Sequence, residues 1–349
     1  MPTVQADRLI EIADNLLQGS GAPAEEAATV ARHVIGANLA GHDSHGIIQI
    51  PTYIDRVDKG DIGPGAEWKI VQESPTTTVV DGHWGFGYVA NERAMKYTIE
   101  KADKQNIAAA TVFRQGHIGR LAAYPMMAAE RGMISMITAD SGRGPKHVAP
   151  FGGMEKRLGT NPISIAMPSD LDGPFFIDMA TSSVAAGKIN LALARNSDIP
   201  EGWILDKNGQ ATTNPADFKA GGPLLPLGGT EGYKGYGLSA MVEIFSGILT
   251  GLGHGVEPTG KHNDGCFMAC FKVEAFRDLK TFKAEVAEFA HYLKDTKPAE
   301  GFDEVYYPGE IEHNNEVARG REGVTVEDST WEKLTALAEK YGMRDKLGF

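Results

Sequence analysis

Residues 41–57 read GHDSHGIIQIPTYIDRV, which sets His42, Asp43, Ser44 and His45 side by side between glycines. Three kinds of chemistry suit such a cluster. Ser44 or Asp43 fits the cap of a helix starting near Ile47, by accepting free backbone N–H groups. His42 and His45 with Asp43 begin a metal site, which needs further ligands of matched type, and no second ligand-spaced cluster follows in the chain. An imidazole that titrates near neutrality is also the natural proton donor to a carbonyl oxygen. A second histidine, His117 in GHIGRL, follows the apolar run IAAATVF. It is expected just past the carboxyl end of a strand, where open α/β sheets place their sites. Arg120, three residues on, adds a guanidinium suited to an acid substrate.

Phosphate-binding signals are weaker. Gly235-Tyr-Gly237-Leu-Ser-Ala240 has the letters of G-x-G-x-x-A, yet LLPLGGTEGYK before it is no clean strand, so the dinucleotide fingerprint lacks its context. Backbone N–H groups at a helix start, with Lys234 beside them, still make a pyrophosphate site. SSVAAGKI lacks the first glycine and the final Ser/Thr of a P-loop. Arg143 and Lys146 are candidates to meet a 2′-phosphate.

The elements that must position these residues follow from pattern. Leu9, Ile10, Ala13, Leu16 and Leu17 recur at helical spacing, GSGAP breaks the chain, and a second, alanine-rich helix runs to Gly41. WKIVQ, TTTVVDG, IAAATVF, RGMISMITAD, PISIAMP and FFIDMA read as strands, alternating with helices such as NERAMKYTIEKADKQN and LAAYPMMAAERG. That alternation predicts an α/β layer with a substantially parallel sheet. The Gly- and Pro-rich loops at 141–162 and 195–235 are long enough to expect functional work from them. GLSAMVEIFSGILTG reads as a buried helix by its apolar content. LKTFKAEVAEFAHYLKD and STWEKLTALAEKYGM read as amphipathic ones.

Composition narrows the partners. With 34 Lys+Arg against 46 Asp+Glu the net charge is −12, which argues against nucleic acid. A few local cations still suffice for a small anion. Apolar residues make up 42% and charged ones 23%, as in globular proteins. No run of about 18 apolar residues occurs, and the N-terminal stretch has no apolar signal region, so a cytoplasmic location without membrane association is expected. Cys266 and Cys270 sit at i and i+4 of an apparent strand, too far apart to bridge comfortably, and read as buried free thiols.

The segments DSHGIIQIPTYIDRV, GHIGRLAAYPMMAAE, APFGGMEKRLGTNPISIAMP, DMATSSVAAGK, IPEGWILDKNG, LGGTEGYKGYGLSAMVEIFSGILTG and VYYPGE, in that order, resemble the type-2 malate/L-lactate dehydrogenase family over residues 5 to 345. The resemblance implies an NAD- or NADP-dependent 2-hydroxyacid/2-oxoacid oxidoreductase and a homodimer. The implied fold is α/β and non-Rossmann: a mixed sheet with helices on its faces. Residues 1–75 with 310–349 are expected to form a mainly helical domain, and 76–309 the cofactor-binding α/β domain. Carried over by motif, His45 is similar to the proton donor/acceptor, oriented by Ser44 and an aspartate, Asp178. His117 matches a second histidine at the nicotinamide. Thr160 resembles a substrate-carboxylate contact. Ser141, Asp178, Met179, Ala180, Lys234, Gly235 and Gly309 look like cofactor contacts. One position departs from the pattern. Many members carry Arg four residues after the histidine, and here that residue is Gln49. An amide gives up a charge-assisted pair of about 1.5–3 kcal/mol. Arg120 is expected to supply the missing charge. Two other readings are a metal-dependent hydrolase on His42, Asp43 and His45, and a nucleotide-binding protein without turnover.

Overall fold

The computed structural model describes residues 1–140, 144–256 and 263–349. A two-residue strand, β1 (Thr3–Val4), leads into α1 (Ala6–Gly19) and α2 (Ala24–Leu39), which are followed by α3 (Ile50–Asp58). Leu9, Ile12, Leu16 and Leu17 of α1 meet Val30, Val34 and Ile35 of α2, with Ile50, Tyr53 and Ile54 of α3 closing the same core. The chain's other end returns here: β11 (Val324–Thr325) pairs with β1. Beyond it, α11 (Asp328–Lys340) inserts Leu334 and Ala338.

The main sheet comprises β2 (Lys69–Glu73), β3 (Thr77–Gly85), β4 (Ile107–Gln115), β5 (Met133–Asp140), β6 (Ile163–Met167), β7 (Phe175–Met179) and β10 (Gly265–Lys272). Its order is β2-β3-β4-β10-β5-β6-β7. α4 (Gly87–Gln105) carries the chain from β3 to the parallel β4, and α5 (Ala123–Ala129) carries it from β4 toward β5. The substantially parallel sheet expected from the alternation is not what forms: among the described residues β3–β4 is its single parallel pair. β3, β4 and β5 do run the same way, but β10 inserts antiparallel between β4 and β5, with Met268 opposite both Ala110 and Ile137. Nothing local to 107–140 reveals an insertion from 130 residues downstream.

β10 is the strand with the two cysteines. Both thiols are free and buried, and burial pushes Cys266 well above the usual thiol range and Cys270 up to about 11, so neither is a nucleophile. The loops around 148, 158 and 224 bridge to one another. Together with α6 (Ala186–Ala194), the β8 (Ile204–Leu205) and β9 (Ala211–Thr212) ribbon and α7 (Ala216–Lys219), they enclose a third core of Val148, Ile189, Ile204 and Leu224.

α8 (Tyr233–Glu243) runs on into a π-helical turn at Ile244–Ile248. Its apolar content does not reflect burial. Met241, Ile244, Phe245, Ile248 and Leu249 are exposed, Leu249 to 56%. One face carries Ser239, Val242 and Glu243 inward while the other presents an apolar strip. α9 (Leu279–Lys294) and α10 (Glu310–Glu322) lie between β10 and β11. Among the described residues no helix is long and apolar enough to cross a membrane.

Candidate active site

The His42–His45 cluster lies where α2 ends, as a 3-10 turn over Asp43–His45 followed by another over Ile47–Gln49. Neither Ser44 nor Asp43 caps the following helix. The N–H of Ile47 donates instead to Oδ1 of Asn38, at 2.7 Å, and Asn38 Nδ2 donates to Asp43 at 2.7 Å. A buried amide nine residues upstream thus ties both ends of the loop, a longer reach than the i to i+3 pattern that marks caps in a sequence. Gly46 makes this possible, because a Cβ there would lie 2.3 Å from the Asn38 side chain. Gly46→Ala is expected to destabilise the protein by about 2 kcal/mol through overpacking and to lower turnover with it. Thermal unfolding beside an activity assay checks this, and an unchanged Tm with full activity would remove Asn38 from the role.

α10 clamps the loop from behind. Glu312, Glu316 and Arg319 share one helical face. Glu312 pairs with His42 at 3.6 Å, and the neighbouring imidazole holds that carboxyl below its usual range. Arg319 donates to both carboxylate oxygens of Asp43, at 2.7 and 3.1 Å, and Glu316 accepts from Arg120 at 3.2 Å. None of this was legible from the loop's own sequence.

His45 is half-buried and bonds through Nδ1 to the Ser44 hydroxyl at 3.0 Å, which leaves Nε2 for a ligand. Burial, then the neighbouring His117 and His42, push its proton affinity down to about 3, only partly offset by Asp264. The ring is neutral at physiological pH. His117 stands two residues past the end of β4, as the alternation predicted, and stacks on His45 with centroids 5.6 Å apart and planes 21° apart. The two histidines, 72 positions apart in sequence, are brought together.

The remaining candidates divide. Gln49 donates to the Ser44 carbonyl at 2.7 Å and so braces the loop. Asp178, at the end of β7, accepts the Ala122 N–H at 2.8 Å and has Arg120, His42 and Glu312 as its charged neighbours. The structure therefore gives His45 its orienting bond from Ser44, not from Asp178. Burial pushes the Asp178 carboxyl up. Met179 and Ala180 follow it, half-buried. Thr160 is half-buried beside Asn161, which is held in the left-handed region (φ 41°) by bonds from its amide to Ser239 O and Glu243.

Arg120 is the largest departure from expectation. Its guanidinium lies over Phe176, 5.2 Å from the ring centroid, with one bond to Glu316. Nε and Nη2 are sealed from solvent with no hydrogen-bond partner, so the fork does not open on the histidines. The side chain lines a cavity of about 370 Å³ with Arg32, His33 and Glu92. Its charge still reaches His45, where it disfavours the added proton.

Lys234 is exposed in the first turn of α8, where its ammonium lies 3.6 Å from Glu231. Gly235 is required by packing, since a Cβ would meet Leu227 O at 2.1 Å, and Gly309 likewise at 2.5 Å from Pro174 O. Lys146 is drawn into a buried pair with Glu243 at 3.0 Å, which removes it as a surface ligand for a 2′-phosphate. Ser141 and Arg143 lie outside the described residues. Among the described residues no three His, Cys, Asp or Glu side chains converge as metal ligands. His42 is engaged by Glu312, and Asp43 by Arg319 and Asn38. Sequence reasoning missed Asn38, Asp264 and two tyrosines. Tyr53 Oη bonds His117 Nδ1 at 2.7 Å and Tyr88 Oη at 2.9 Å. Tyr53 stood in the opening stretch, but nothing in its sequence neighbourhood marks a partner 64 positions on.

The mixed sheet, with a helix-borne turn and a strand-end loop each bearing one of two stacked imidazoles, is an α/β fold outside the Rossmann class: α8 is preceded by a 3-10 turn, Gly229–Glu231, and not by a strand. Comparison with known proteins narrows this. The sequence profile of the malate/L-lactate dehydrogenase family matches residues 4–335. The chain is 36% identical to malate dehydrogenase of Pyrococcus abyssi over 98% of its length and 95% of the relative's. It is 36% identical to L-sulfolactate dehydrogenase of Methanocaldococcus jannaschii, over 94% of each chain. The crystal structure of malate dehydrogenase from Entamoeba histolytica superimposes with a TM-score of 0.93, at 33% identity and 98% coverage of both chains. The chain belongs to the malate/L-lactate dehydrogenase family.

Proposed function

We propose that this protein interconverts a 2-oxoacid and a 2-hydroxyacid with NAD(H) or NADP(H), with a histidine as proton donor and acceptor. The observation that carries the reading is the stacked pair of half-buried imidazoles, His45 and His117. The donor set suits a dinucleotide: an exposed Lys234 and free N–H groups at the start of α8 for phosphates, and Asp178, Met179 and Ala180 at the strand end. When bound, the reduced nicotinamide supplies a hydride to C2 of the oxoacid. His45, fixed through Nδ1 by Ser44, gives a proton from Nε2 to the developing alkoxide, or takes it from the hydroxyacid. Thr160 and Gln49 meet the substrate carboxylate, and Arg120 supplies positive charge from behind. The mainly helical unit, residues 1–75 with 310–349 less residues 69–73, which form β2 of the main sheet, brings His45 to the site, and the α/β unit, 76–309, brings His117. A second copy of the chain covers the outward apolar strip of α8.

A panel of small, dicarboxylic and aromatic 2-oxoacids, each assayed with both reduced nucleotides by loss of nicotinamide absorbance, tests the reaction. No turnover with any pair would sink it.

The low proton affinity of His45 sets the pH profile. A base whose pKa lies near 3 is already neutral at pH 6, so kcat/KM for hydroxyacid oxidation is expected flat from pH 6 to 9. Reduction needs the protonated ring, so its kcat/KM falls about tenfold per pH unit across the same range. Initial rates in both directions check the signs; an inflection near pH 6.5 in both would place an ordinary histidine at the step.

A further inference from the structure

Behind His117 stands a hydrogen-bonded file of two phenols, which the proposed reaction does not use. His117 Nδ1 lies 2.7 Å from Tyr53 Oη, and Tyr53 Oη lies 2.9 Å from Tyr88 Oη. Both tyrosines are at least 98% buried. Their rings cross edge to face with centroids 5.7 Å apart, which fixes where the hydroxyls meet.

The file has a direction. Tyr88 ends against Gly119, where a Cβ would lie 2.3 Å from its hydroxyl. Among the described residues its hydroxyl has one hydrogen-bond partner, Tyr53. A buried hydroxyl uses its hydrogen, so Tyr88 donates to the Tyr53 oxygen. The Tyr53 hydrogen is then left for Nδ1 of His117. An imidazole nitrogen that accepts carries no hydrogen, and the neutral ring keeps its hydrogen on Nε2. Reversing the file, with Nδ1–H donating to Tyr53, strands one phenolic hydrogen in a buried site.

We propose that Tyr53, backed by Tyr88, is a positioning residue that fixes the ring hydrogen of His117 on Nε2 and so makes His117 a standing hydrogen-bond donor. Charged and titratable groups face this pair from several elements: His45 stacked at 5.6 Å, Asp264 accepting the Ile118 N–H at 3.3 Å, Arg56 one turn beyond Tyr53, and Arg120 three residues beyond His117. None of them bonds the Tyr88 hydroxyl, so none changes the count that sets the direction.

The consequence, resting on the reaction proposed above, is a division between the two histidines. His117 Nε2–H holds the substrate oxygen but is not reloaded through Tyr53, because among the described residues the Tyr88 hydroxyl bonds nothing further that could pass a proton on. Net proton transfer falls to His45, whose Nδ1 partner Ser44 is exposed.

The test reads the ring directly. In protein labelled with 15N-histidine, long-range proton–nitrogen spectra identify which nitrogen is bare, and His117→Gln assigns the signals. The expected result at pH 7.5 is a bare Nδ1 and a protonated Nε2. In Tyr53→Phe both tautomers are expected, with kcat down about tenfold or more and the oxoacid KM within about threefold. A protonated Nδ1 in the unaltered protein would overturn the proposal, as would a tautomer unmoved in Tyr53→Phe. The measurement needs no substrate. A bare Nδ1 in a protein that reduces no oxoacid would count against the reaction and leave the role of Tyr53 standing.

Discussion

His45→Asn is expected to lower kcat for oxoacid reduction by about 10³-fold, within the range usual for loss of a positioned acid or base. The amide keeps a polar group at similar reach but has no proton to exchange. Binding of the reduced nucleotide, read by its fluorescence, should stay within a few-fold of the unaltered protein. The loop itself should survive, since its ties run through Asn38, Gly46 and Arg319 and not through the imidazole. An activity within a few-fold of normal would move the proton transfer to His117 and reverse the division drawn between the two rings.

Arg120→Met is expected to raise the oxoacid KM by roughly thirtyfold, while Arg120→Lys stays within about threefold. The contrast follows from the sealed guanidinium. Its Nε and Nη2 present no fork to the cleft, so what it offers an anion is charge. One charge acting over about 7–8 Å at an effective dielectric near 20 is worth roughly 2 kcal/mol, and about 1.4 kcal/mol is tenfold in affinity. Lysine keeps that charge and the contact with Glu316. A clamp that grips the carboxylate bidentately would not tolerate lysine. Equal losses in both variants would therefore mean that Arg120 turns to the substrate when it binds; no loss in either would remove it from recognition.

Arg120 also shows where sequence reading stops. Its position in GHIGRL was right for a cation near the site, and its orientation was not legible, because Phe176 and Glu316 come from 56 and 196 positions away. The two histidines were readable one at a time as polar residues in glycine-bounded loops, but their stacking depends on packing between segments 72 residues apart. The strands were legible as apolar runs, and the sheet's mixed order was not, because β10 arrives from far downstream to separate β4 from β5. The apolar content of α8 pointed to burial, whereas half of that surface faces outward. Hydrophobicity marks surface that is disfavoured in water and is silent on what covers it. The polar atoms of Asn38 and Tyr53 reach the two site loops over 9 and 64 positions, and local sequence does not say where a helical side chain's polar atom will end.

The most direct test of the whole account is a crystal structure with reduced nucleotide and an unreactive 2-oxoacid analogue bound. The nicotinamide ring should lie in the cleft of His45 and His117, with the analogue's oxo oxygen within hydrogen-bonding distance of His45 Nε2. A nicotinamide seated away from both imidazoles would contradict it.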